Sequence, residues 1–167
     1  MKTLKKPLYV AVINALLFFV LIILHYSGIS VKIGNANAFL ALALLVAVII
    51  FSSELTGVLT GMALGIIIDS VSSTPIGFNS ITLTLISLLA TLISHYLFNR
   101  NLKSAMVLSL ICCALYFAAR WLVTFAFAGD IKGSFTYLFS FAATSAVYTA
   151  VFIVPFFYLE KRLFSKI

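Results

Sequence analysis

Residues 54–69 read Glu54-Leu55-Thr56-Gly57-Val58-Leu59-Thr60-Gly61-Met62-Ala63-Leu64-Gly65-Ile66-Ile67-Ile68-Asp69, and ten residues further on, past Ser72-Ser73-Thr74-Pro75-Ile76-Gly77-Phe78, stands Asn79. Gly57, Gly61 and Gly65 recur every four residues, so a helix carries them on one face. A face without side chains lets a second backbone come close, which is how many helix pairs associate in lipid. Two uses of such a stripe stay open, packing inside a bundle and packing against a partner chain. Asp69 follows an apolar triplet, and the run after it has turn chemistry. Pro75 has no amide proton, and Gly77 tolerates a positive φ. Asn79 is placed to cap the next helix with its side-chain carbonyl. Irregular backbone near membrane depth must be buried in protein or wet, so the turn is expected to pack into the bundle.

The composition puts this stretch in a bilayer. Hydrophobic residues make up 63% of the 167-residue chain and charged residues 9%, with a mean hydropathy of +1.22. A soluble domain carries about 25% charged residues to keep its surface solvated. The 11 basic and 4 acidic side chains here cannot cover a water-facing particle of 18.2 kDa. Apolar segments run from Leu8 to Tyr26, Ala36 to Phe51, Val58 to Ile68, Ser80 to Phe98, Ala105 to Ala128 and Phe135 to Leu159. They predict an all-α, polytopic membrane bundle of about six transmembrane helices, a single transmembrane domain spanning residues 1–167. The third segment is the short one: its eleven residues would rise about 16 Å, half of the hydrocarbon layer. With the second it forms either a tight hairpin or one long broken helix.

Charge placement orients the chain. With the N-terminus in the cytoplasm, Lys2, Lys5, Lys6, Arg100, Lys103, Lys161, Arg162 and Lys166 fall inside and only Lys32 and Lys132 outside. That division obeys the positive-inside rule and places both termini in the cytoplasm. The basic residues sit at the ends of apolar runs beside lipid headgroups, and no basic, aromatic-interleaved face for nucleic acid is present. Lys2, Lys5 and Lys6 before an apolar run imitate a signal peptide, but the run from Leu8 to Leu24 is too long for one. It is expected to stay as the first span.

Little in the sequence points to chemistry. Cys112 and Cys113 are adjacent in an apolar run and read as small packing residues. His25 and His95 fall near opposite membrane faces, so no metal site is expected, and no cofactor either. Nucleophile–base pairs and phosphate-binding loops are not evident, and no catalytic residue is assigned. Glu54 reads as the cytoplasmic end of a span. Asp69 and Arg120 both fall in the outer half of the bilayer, where charges pair or face a wet cavity. Either they form an ion pair locking the third span to the fifth, or Arg120 snorkels outward while Asp69 caps the turn.

The stretch from Gly57 to Asn79, with its glycine stripe, Asp69 and Pro75-x-Gly77-x-Asn79, resembles the signature of the rod shape-determining MreD family. The small size, the six-span plan and the basic loop from Asn99 to Lys103 are similar too. One departure is Ser73-Thr74, where the family often shows Ser-Gly or Gly-Thr. The resemblance implies a non-enzymatic component of bacterial cell elongation in the cytoplasmic membrane. It implies binding to an MreC-like bitopic protein and links with RodA, its penicillin-binding transpeptidase and MreB. A groove for the partner's helix is expected near the glycine stripe and the Asp69 turn. The family is also similar in fold to S-components of energy-coupling-factor transporters, so a vitamin-binding subunit is the alternative. Ala11-x-x-x-Ala15 on the first span resembles the docking motif of those proteins.

Overall fold

The computed structural model describes residues 5–27, 32–33, 36–37, 39–72, 75, 77–96, 100–123 and 142–165. Six α-helices run through the described residues: α1 (Lys5–Tyr26), α2 (Leu40–Phe51), α3 (Glu54–Val71), α4 (Phe78–Tyr96), α5 (Leu102–Trp121) and α6 (Ala143–Phe164). Between α1 and α2, Lys32–Ile33 pairs antiparallel with Ala36–Asn37. All the helices but α2 are long and apolar enough to cross a membrane. The chain is thus a polytopic helix bundle.

Side-chain contacts fix which ends lie together. Asn14 in the first half of α1 meets Glu160 near the end of α6, and Phe51 at the end of α2 packs on Phe157 and Phe164. This proximal end also holds Glu54 of α3 beside His95 of α4. At the distal end His25, Phe39 and Tyr116 form a chain of ring contacts. Successive helices therefore alternate in direction. Arg100, Lys103, Lys161 and Arg162 fall at the proximal end, the end that the charge count groups together.

The centre of the bundle is α2. Every residue from Ala41 to Ile50 is buried, none more than 5% exposed. A helix apolar on all sides has no polar face to turn outward and belongs inside. α6, α5, α4, α3 and α1 all pack against it. α1 presents the stripe Val10, Phe18, Leu21 and Ile22 to the bundle and leaves Leu16, Phe19, Val20 and Ile23 exposed.

The short span is α2 and not the third segment. The sequence reading trimmed α3 to Val58–Ile68, whereas the helix runs through all 18 residues from Glu54 to Val71. Hydropathy discounts hydroxyls that the helix absorbs: Ser70, beyond the segment's end, donates its Oγ back to the carbonyl of Ile67 at 2.7 Å. Between α2 and α3 the chain reverses at Ser52-Ser53, both in extended conformation. Of the two arrangements open for these segments, the structure has the tight hairpin. The Ser73-Thr74 pair, Ile76, Asn99 and the distal limits of the fifth and sixth spans lie outside the described residues, as do Lys2, Lys132 and Lys166.

Candidate functional site

The glycine stripe is used up inside the molecule. α3 and α4 share the largest helix–helix contact in the bundle, and the stripe is its seam. A Cβ on Gly57 would lie 2.7 Å from Thr91 Oγ1, and one on Gly61 would run into Ser87 Oγ. On Gly65 it would meet backbone, 2.5 Å from Ser80 Cα and 2.7 Å from the Asn79 oxygen. Ser87 and Thr91 are buried facing this seam, their hydroxyls donating to the carbonyls of Thr84 and Ser87 at 2.9 and 2.6 Å. The stripe face itself is therefore taken up by α4.

The stripe ends in a clasp. Pro75 and Phe78 close a turn through Phe78 N–H donating to the Pro75 oxygen at 3.1 Å, with Gly77 at φ +88°. That φ is the left-handed value a type II turn demands at its third position. α4 then begins at Phe78, and its first turn is capped from the preceding helix. Asp69 Oδ1 accepts from the Asn79 N–H at 3.0 Å and from its side-chain amide at 2.9 Å. Asp69 Oδ2 accepts from the Ser80 N–H at 2.8 Å and from the Ser80 hydroxyl. A carboxylate at a helix N-terminus also meets the positive end of the macrodipole.

Two expectations change here. Asn79 was expected to cap α4, but it lies within the first turn, and the cap is Asp69. The carboxylate offers two charged acceptors and outcompetes an amide for those N–H groups. Asn79, 1% exposed, instead ties the clasp to α5: its Oδ1 accepts from Tyr116 Oη at 2.9 Å. Tyr116→Phe, which removes the hydroxyl that donates to Asn79, is expected to cost about 1 kcal/mol of stability in detergent unfolding.

The second change concerns Arg120. Of the two arrangements left open, the structure has the cap and not the ion pair. Asp69 spends both oxygens on α4, and among the described residues Arg120 makes no salt bridge with it. Arg120 stands in the last turn of α5, partly exposed. Glu54 lies 3.5 Å from His95 Nε2 at the proximal end, both half exposed, and a pair so placed is worth about 0–1 kcal/mol. Cys112 and Cys113 are free and buried, and the described residues hold no metal-ligating cluster.

On another face of α3 from the seam, α1 and α3 part to leave a groove of about 420 Å³. Ala11 and Ala15 line its α1 wall, Thr56, Thr60 and Ala63 its α3 wall, and Val48 of α2 lies beneath. Ala11, Ala15, Thr56 and Ala63 are exposed, so the groove opens on the bundle surface. Asn14 also lines it, 5% exposed, with Nδ2 donating to Glu160 Oε2 at 3.4 Å. Glu160 is fully buried.

Sequence reading missed this pair. Glu160 stands directly before Lys161 and Arg162 and reads as a solvated helix end. The available signal was Asn14, an amide alone between Leu8 and Leu24. A polar side chain there needs a partner from another helix, and Glu160 is that partner.

The model of one protein family, rod shape-determining protein MreD, matches residues 5–164. The chain belongs to the MreD family. Its matched region begins with the first residue of α1 and ends with the last of α6, so the MreD match and the helical bundle are coextensive. No curated protein and no solved structure matches the chain. Membership of the MreD family assigns the bundle to rod-shape determination, and the five helices of spanning length make it a multi-pass membrane protein.

Proposed function

We propose that this MreD family member is a non-enzymatic scaffold of bacterial cell elongation, binding an MreC-like bitopic protein and so helping to position peptidoglycan synthesis. It sits in the cytoplasmic membrane with the proximal end, rich in Arg and Lys, facing the cytoplasm. RodA, its penicillin-binding transpeptidase and MreB belong to the same assembly. The groove between α1 and α3 is the observation that carries this reading. From Thr56 to Ile67 its α3 wall extends over about 16 Å, three turns of a helix. Small side chains line both walls, which lets a further helix pack closely where lipid supplies no hydrophobic push. The glycine stripe cannot serve, since α4 fills it.

The test is affinity purification of the tagged full-length protein from its own host in mild detergent, read by mass spectrometry. Recovery of an MreC-like protein with cell-wall polymerases is expected. Ala11→Leu and Ala63→Leu fill the groove from its exposed rim and leave the core alone. They are expected to lower MreC recovery about tenfold or more at unchanged protein level, the loss of roughly 1.4 kcal/mol of packing. Unchanged recovery in both variants would move the partner to another face. Recovery of a transporter's ATPases instead would turn the assignment to the S-component alternative, a vitamin-binding subunit.

A further inference from the structure

The groove has a polar floor that its own helices do not satisfy. Asn14 uses its amide N–H on Glu160 Oε2, which leaves Asn14 Oδ1 and Glu160 Oε1 buried with no hydrogen-bond partner. Both orphan atoms are acceptors. Lys161 and Arg162 follow Glu160 directly but are exposed on other faces of α6, and no cation among the described residues pairs with the carboxylate. One turn beyond Glu160, on the same face, Phe164 lines the groove. An acceptor pair at depth, beside an open groove, lacks a donor from outside the chain.

We infer that Asn14 and Glu160 select the helix that occupies the groove, by requiring a side-chain hydrogen-bond donor, lysine or arginine foremost, at the depth of Asn14. This rests on the reading of the groove as the seat of a partner's membrane helix. Small residues on the walls set how closely that helix approaches; the acceptor pair sets which helix, and in which register. Facing an apolar helix, Asn14 Oδ1 and Glu160 Oε1 stay buried without partners, a costly state for polar groups in a membrane. A cationic side chain removes the mismatch and supplies donors to both oxygens.

Two designed single-span helices of leucine and alanine serve as probes, alike except that one carries lysine, the other leucine, at the depth of Asn14. The full-length protein carrying Ala63→Cys is reconstituted with each in lipid nanodiscs, and cross-linking from that position reports capture. Capture of the lysine helix is expected to exceed that of the leucine helix by about fivefold or more, the range of interhelical hydrogen bonds in membranes. The preference should vanish in the Asn14→Leu/Glu160→Leu double variant and shrink in Glu160→Gln, which keeps the side chain's shape and guards against misfolding. Equal capture of the two helices with Asn14 and Glu160 intact would overturn the acceptor-pair selection. So would a preference that survives in the double variant. The groove itself is judged separately: Ala11→Leu should weaken capture of both probes, and its failure to do so would sink the groove reading whatever the lysine preference.

Discussion

Gly65→Ala is expected to lower the stability of the folded bundle by about 3 kcal/mol or more, the upper range for forcing atoms into a packed core. On a free helix the same substitution stabilises by about 0.5–1 kcal/mol, so the sign of the effect reports the seam. The new methyl would fall 2.5 Å from Ser80 Cα and 2.7 Å from the Asn79 oxygen. Both belong to backbone that the Asp69 cap holds in place, so neither can give way. Gly61→Ala meets the Ser87 side chain, which can turn in part, and Gly57→Ala meets the Thr91 hydroxyl, which can rotate. Thermal unfolding of the three variants in one detergent should rank the damage Gly65, Gly61, Gly57. An equal, small effect at all three would contradict the α3–α4 seam.

Asp69→Ala removes the acceptor for Asn79 N–H, Asn79 Nδ2, Ser80 N–H and the Ser80 hydroxyl together. A lost cap costs about 0.5–2 kcal/mol, and each donor left buried and unmade about 1–3 kcal/mol more. Partial rescue by Ser72 and by water, since Asp69 is only half-buried, brings the expected loss to about 2–4 kcal/mol. Asp69→Asn keeps one acceptor oxygen and should fall between. Arg120→Gln should be nearly silent in the same unfolding assay, within about 0.5 kcal/mol. If Arg120→Gln instead matched Asp69→Ala, the ion pair would be the working contact and the cap incidental.

The two sites differ in how far the sequence discloses them. The Asp69 clasp is local: stripe, acid and turn lie within twenty-three residues, and each residue type carries its own geometric meaning. Reading it required no knowledge of neighbours, although which group does the capping depended on a competition between carboxylate and amide that spacing alone does not settle. The Asn14–Glu160 pair is the opposite case. Its members are 146 residues apart, and an acid next to two basic residues looks like ordinary solvated chain. Span lengths misled for a related reason. Hydropathy measures transfer of isolated residues, so it shortened α3, whose Ser70 hydroxyl bonds back to the Ile67 carbonyl, and lengthened the second span, whose helix starts only at Leu40.

The buried position of α2 has a consequence for how the protein is made. The amide of Phe39, at the start of α2, donates to Thr149 Oγ1 at 3.0 Å, across 110 residues of chain. At about 5–20 residues per second, a ribosome that has finished Phe39 needs roughly 5–20 s more to deliver Thr149. Throughout that interval α2, at twelve residues too short to span the hydrocarbon unaided, has neither its last neighbour nor a partner for its first amide. The nascent hairpin of α2 and α3 must therefore wait in the membrane, held by α1 and then by α4, until the final helix arrives. Biogenesis of this bundle ends where its chain began, and a chain truncated before α6 would lose the core of its first half.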